Sequence, residues 1–217
     1  MSDAAQAVAA GFDARAATYD AAHLHRALAT AVAAFCPLDG MRTVLDVGTG
    51  TGLVLRALRP LLACHPGGTP PNTPRGTPRM RLIGVDLSPA MLAVARAALP
   101  EAVLVVGDAA ALPLADGSID LVTYVTVLHL LPDADAAFAE CARVLRPGGR
   151  VVTATFGPSA AAVVPRPYPR HHERFATPAL VGAAAAPEGL IMRRHRWWRH
   201  DEDTVLLAEL TAEASVR

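Results

Sequence analysis

Asp86 carries the most explicit chemistry in this chain. It closes the apolar run from Arg81, and Ser88 and Pro89 after it have the character of a helix cap and a first helical turn. A carboxylate at such a strand-to-helix junction accepts hydrogen bonds from both hydroxyls of a ribose, so the position suits a nucleoside. Leu87 and Met91 would then lay apolar side chains against its base. Upstream, Val44-Leu45-Asp46-Val47-Gly48-Thr49-Gly50-Thr51-Gly52 reads as a buried strand entering a glycine-rich turn. The three glycines permit positive φ and close approach of backbone to ligand, and Leu53, Leu55 and Leu58 open the apolar face of a helix. A dinucleotide site wants G-x-G-x-x-G, with its third glycine where this chain has Leu53. The G-x-G-x-G found here disfavours a nicotinamide cofactor.

Proton transfer at neutral pH calls for histidine. His129, in Val127-Leu128-His129-Leu130-Leu131-Pro132-Asp133, follows the fourth strand, at the sheet edge where ligands gather in open α/β folds. It is the best candidate for a general base, which only a hydroxyl or acidic-carbon acceptor would need, although a packing or hydrogen-bonding role is the commoner one for a histidine there. His23 and His25 on an amino-terminal helix, and His171 and His172 in a later loop, are lesser candidates.

These residues need a scaffold of alternating strands and helices. A helix is expected over 21–35, where Leu24, Leu28, Ala31, Val32 and Phe35 recur at helical spacing before Pro37. Strands follow at 43–47, 81–86, 102–106, 119–125 and 150–156, with helices at 51–63, 89–98 and 134–145. Repeated strand-helix units imply a parallel sheet with helices on both faces. After Phe156 a Pro/Arg/His-rich stretch leads to a helix at 178–186. Two strands, 190–199 and 204–210, are joined by His200-Asp201-Glu202-Asp203, a turn short enough to make them antiparallel. Segment 65–79, rich in proline, glycine and threonine, is read as a disordered surface insertion. It explains why Asp86 lies 40 residues after Asp46 rather than the usual ~20.

The 217 residues suit a single domain: a helical cap over 1–40, a binding core over 41–156, and an acceptor-side segment with a hairpin over 157–217. No apolar run approaches the ~18 residues of a membrane span, and the acidic start Met1-Ser2-Asp3 argues against a secretory signal. The cytoplasm is the expected compartment. The 3 cysteines form no C-x-x-C pair and suggest no metal site, and no H-x-x-x-H or paired-acid spacing suggests one either. Formal net charge is +0 and all 20 basic residues are arginine, so neither nucleic acid nor anionic membrane is favoured and lysine Schiff-base chemistry is excluded. The cluster Arg193-Arg194-His195-Arg196-Trp197-Trp198-Arg199 alternates between two faces if it is a strand, beside the acids 201–203.

Taken together, the turn at Gly48, Asp86, Gly107-Asp108, the run Asp116 to Val122, and Leu145-Arg146-Pro147-Gly148-Gly149 resemble class I S-adenosylmethionine dependent methyltransferases. The resemblance is to the small-molecule branch that includes ubiquinone and menaquinone biosynthesis enzymes. Phe12-Asp13-Ala14-Arg15-Ala16-Ala17-Thr18-Tyr19-Asp20 adds that branch's F-D-x-x-A-x-x-Y-D signature. The resemblance implies a Rossmann-like, mostly parallel seven-stranded sheet whose last strand is antiparallel beside the fifth. It implies that Tyr19, Asp46, Gly48, Thr49, Gly50, Gly52, Asp86, Leu87, Met91, Asp108, Ala109 and Val125 hold S-adenosylmethionine. Asp108 would meet the adenine amino group, and Tyr19, also a catalytic candidate, would lie near the methionine end. The implied activity is methyl transfer to oxygen, nitrogen or carbon of a small biosynthetic intermediate. Alternatives are a non-methylating cyclase or decarboxylase on the same fold, and an RNA or protein methyltransferase. A homodimer is compatible with the sequence.

Overall fold

The structure is a computed structural model that describes residues 2–64, 80–158, 168 and 170–213. The expected insertion at 65–79 lies outside the described residues. Seven strands form one sheet: β1 (Thr43–Val47), β2 (Arg81–Asp86), β3 (Val103–Val106), β4 (Ile119–Val125), β5 (Leu145–Phe156), β6 (Leu190–His200) and β7 (Asp203–Ala212). Their order is β3-β2-β1-β4-β5-β7-β6. The first five are parallel, and β7 inserts antiparallel between β5 and β6, pairing Ala154 with Leu207. The chain winds one way from β1 to β3 and the other way from β4. The crevice outside the carboxyl ends of β1 and β4 is therefore the topological switch point, where open α/β sheets bind ligands.

Strand period 2 explains the two-sided core. Leu45 and Val47 of β1 join Val122 and Tyr124 of β4 on one face, with Phe138 of α5 (Ala134–Val144) and Val181 of α6 (Pro178–Ala185) packed over them. Val44 and Leu121 point the other way, towards Leu28 and Val32 of α2 (His23–Phe35) and Leu55 and Leu58 of α3 (Leu53–Cys64). Asp46 shares that second face by parity, which sends a carboxylate into an apolar layer. α4 (Pro89–Ala98) starts as its sequence suggests: the Ser88 hydroxyl accepts from the Met91 N–H at 3.1 Å and Pro89 takes the first position.

Differences from expectation cluster at element starts. The helical cap expected over 1–40 includes a first helix α1 (Asp3–Asp13), capped by Ser2, whose bounds the sequence did not mark, because its alanines give a weak periodic signal. The helix expected from residue 21 begins at His23, after a 3₁₀ turn over Ala16–Ala21. β5 starts at Leu145 rather than Arg150, because the stretch through Gly148 pairs with β4 across an irregular register. The final turn narrows to Asp201 and Glu202, with Asp201 at φ 49°.

Candidate cofactor site

Two adjoining cavities open at the switch point. The larger, with about 740 Å³ of empty space partly open to solvent, runs from the β1 turn (Gly48, Gly50) past Asp86 and Leu87 to Asp108 and Ala109. Val8, Ala9 and Phe12 of α1 cover it, and Val127, Leu130 and Leu131 after β4 floor it. The smaller, about 420 Å³, lies between the glycine turn and α2 and is lined by Asp46, Thr49, Thr51 and His25. Tyr19, Gly48, Gly50, Val125 and Thr126 face both.

Asp86 is set by two backbone donors. Its Oδ2 accepts from the Gly50 N–H at 2.7 Å and its Oδ1 from the Ser88 N–H at 2.8 Å. Each carboxylate oxygen has a further lone pair, which leaves one acceptor site per oxygen for a diol. Burial raises the Asp86 pKa, opposed by the Ser88 and Gly50 hydrogen bonds. Gly48 has φ +68° and an added Cβ would stand 2.3 Å from Val127 Cγ2, so the turn needs glycine here for conformation and clearance alike. Gly52 supports the turn from outside the cavities: its φ is +79° and a Cβ would meet Leu99 at 2.8 Å.

Asp46 is the least hydrated carboxylate of the site. It is 1% exposed, its Oδ1 accepts from Thr123 Oγ1 at 2.6 Å, and burial pushes its pKa up to about 7. Tyr19 stacks on His25 with ring centroids 4.2 Å apart, and burial pushes its phenol up to about 12. The His25 Nδ1 lies 3.3 Å from the Tyr19 carbonyl, and burial lowers its pKa. Asp108 lines the larger cavity while its Oδ1 accepts from the Ala110 N–H at 3.0 Å.

Three expected residues line neither cavity: Gly52, Met91 and His129. Met91 is fully buried and lines neither cavity, because its place on the inner face of α4 turns it into the core. His129 is 5% exposed and also lines neither. Its ring stacks on His172 at 3.9 Å and meets the edge of Phe156 at 5.9 Å. Burial first, then the nearby His172, Arg170 and His171, hold its pKa down to about 3. Such a ring is neutral and a poor base at pH 7, so this geometry does not support His129 as a general base.

Sequence reasoning missed the α1 residues, whose contribution is decided by docking, and Thr126. Thr126 is β-branched yet has φ 55°, an outlier of the kind concentrated at functional sites, and it stands between the cavities. No local sequence signal marks it.

The sheet order puts the cleft, with the carboxylate of Asp86 in its wall, at the switch point of an open α/β sheet, the place where ligands bind in such folds. Residues 45–153 match the family described as Methyltransferase domain, and the chain belongs to that family. It is 35% identical over 155 residues to malonyl-[acyl-carrier protein] O-methyltransferase of Hahella chejuensis, covering 68% of this chain and 49% of that protein. Demethylmenaquinone methyltransferase of Beutenbergia cavernae is 36% identical over 107 residues, covering 49% of this chain and 45% of that protein. The chain thus spans about half the length of these curated relatives. A solved S-adenosylmethionine dependent methyltransferase of Thermotoga maritima shares the fold with a TM-score of 0.68 at 19% identity, covering 94% of this chain and 99% of that one.

Proposed function

We propose that the protein transfers a methyl group from S-adenosylmethionine to a small biosynthetic intermediate. The observation that carries this is Asp86: a buried carboxylate at the switch point, oriented by Gly50 and Ser88 and retaining acceptor capacity towards the cleft. The cleft fits the cofactor in its chemistry as well. Apolar Leu87 and Ala109 flank the space beyond Asp86 for a purine, with Asp108 at its end. The smaller cavity offers Asp46 to an ammonium group. Among the described residues no helix is long and apolar enough to cross a membrane.

The bound cofactor supplies an electrophilic methyl group on a sulfonium. When bound, that methyl group would be open to displacement by the acceptor, with the electron pair of the carbon–sulfur bond passing to sulfur. The protein's work is to align acceptor and methyl and to keep water out. Phe12 and Tyr19 close the cleft from above, while Val125 and Thr126 hold the junction of the two cavities. Tyr19 remains protonated at neutral pH and acts as a wall and hydrogen-bond donor. The two curated relatives are named for different acceptors, so the similarity supports methylation of an intermediate more than any one acceptor. Oxygen, nitrogen and carbon acceptors all remain within the reading. The 3 cysteines of the sequence, with no paired spacing, are the support for a reducing compartment such as the cytoplasm.

Calorimetry with S-adenosylhomocysteine tests the site. The wild type should bind with a Kd on the order of micromolar, and Asp86→Ala should weaken binding by at least about a hundredfold, the lower bound for two charged hydrogen bonds. No binding by the folded wild type would remove the proposal.

A further inference from the structure

The nine-residue run from Phe12 to Asp20 contains two aromatic-acid pairs, Phe12-Asp13 and Tyr19-Asp20. Both aromatics line the larger cavity. Each carboxylate reaches away from it to a different cofactor-bearing element. Asp13 Oδ1 accepts from Ser88 Oγ at 2.5 Å and from the Ala90 N–H at 3.1 Å. Asp20 accepts from Thr51 Oγ1 at 2.5 Å through Oδ1 and from Arg56 Nη1 at 2.5 Å through Oδ2.

The two hydroxyl partners flank the donors that orient Asp86. Ser88, whose own N–H holds Asp86 Oδ1, is 1% exposed, and its hydroxyl already accepts from Met91. Its proton therefore needs an acceptor, and Asp13 provides one. Thr51 is 1% exposed and follows Gly50, whose N–H holds Asp86 Oδ2. A buried hydroxyl left without an acceptor seeks another partner and drags its backbone with it. From this convergence we propose that Asp13 and Asp20 are positioning residues: they brace Ser88 and the glycine turn so that Asp86 meets the ribose. This rests on the nucleoside site proposed above.

The pairing also accounts for the spacing of the run. Asp13 ends α1 and Asp20 lies in the following 3₁₀ turn, so one rigid stretch is fixed at both ends, one end on α4 and the other on α3. Partly exposed ion pairs alone contribute little. The buried hydroxyls of Ser88 and Thr51 give the two contacts their weight.

The test is S-adenosylhomocysteine affinity by calorimetry for wild type, Asp13→Ala, Asp20→Ala, their Asn counterparts, and each Ala change combined with Asp86→Asn. Each Ala change is expected to weaken binding by roughly ten- to thirtyfold, the range of a charged hydrogen bond. The Asn versions should restore most of that loss, because an amide oxygen still accepts from the hydroxyl. In the Asp86→Asn background the same Ala changes should cost at most about threefold, since they act through Asp86. A merely structural contact would give neither the Asn rescue nor that loss of additivity. If Asp13→Ala or Asp20→Ala fails to fold, Ser88→Ala and Thr51→Val probe the same two contacts from the other side, with the same expected loss. No binding by the wild type would remove the nucleoside site itself. Wild-type binding with unchanged affinity in the variants, or with losses that add fully to that of Asp86→Asn, would overturn the positioning role alone.

Discussion

Asp46 should release a proton when the cofactor binds. Its carboxyl lies 1% exposed on the helix-covered face of β1, with Thr123 Oγ1 as a hydrogen-bond partner at 2.6 Å and a pKa pushed by burial to about 7. About half the molecules would then carry its proton at pH 7. The ammonium of a bound amino-acid tail in the smaller cavity would favour the ionised form and lower that pKa by about two units. Binding should therefore expel about half a proton at pH 7, about 0.8 at pH 6 and under about 0.1 at pH 9. By linkage, affinity should tighten as pH rises through this range, by about fiftyfold between pH 5 and 9. Calorimetry of S-adenosylhomocysteine binding at pH 7 in two buffers of different ionisation enthalpy measures the released proton directly. The apparent enthalpy should differ between buffers by about half the difference in their ionisation enthalpies for wild type, and not at all for Asp46→Asn. Buffer-independent enthalpy in the wild type, or the same dependence in Asp46→Asn, would refute the placement of the ammonium beside Asp46.

Further outcomes follow from the same contacts. Because the folded pKa of Asp46 is raised, the native state holds its proton longer than the unfolded chain, and stability falls as pH climbs from about 4 to about 7. Asp46→Asn should therefore melt higher than wild type at pH 8 and lose that advantage near pH 4, in thermal scans. His129 has the opposite sign: its folded pKa is held down to about 3, so its contribution is present above the unfolded value near 6.5 and is lost as pH falls. His129→Phe should flatten the acid limb of a denaturation-against-pH curve while leaving S-adenosylhomocysteine affinity within about twofold; a loss beyond tenfold would place His129 in the site after all. Gly48→Ala forces a side chain into φ +68° and against Val127, and should cost about 1–3 kcal/mol in chemical unfolding together with cofactor binding.

What the sequence made legible and what it hid divide along one physical line. The spans of β1, β2, α4 and β4, and the acid at the end of β2, depend on neighbours within a few residues: alternating apolar side chains, a Ser-Pro start, glycines after a strand. Those signals survive translation into structure because the forces behind them are local. His129, which the sequence left open between a base and a packing role, is of the other kind. Its place after β4 was readable, but whether its ring faces the cleft or turns back against His172 and Phe156 is decided by a loop more than 40 residues away in sequence. Position along a strand fixed its neighbourhood and left its solvation open, and solvation sets whether an imidazole can act as a base. The same distinction separates the two carboxylates of the site. Asp86 could be named from its turn, because a strand end followed by a helix cap leaves an acid facing the crevice. The unusual acidity of Asp46 came only with the packing of α2 against α3, which seals the far side of β1 and turns a motif residue into a titrating one. Motif spacing thus locates groups, and tertiary packing assigns their protonation. For this protein, proton release on binding and the melting behaviour of Asp46→Asn examine the second of these steps separately from the first.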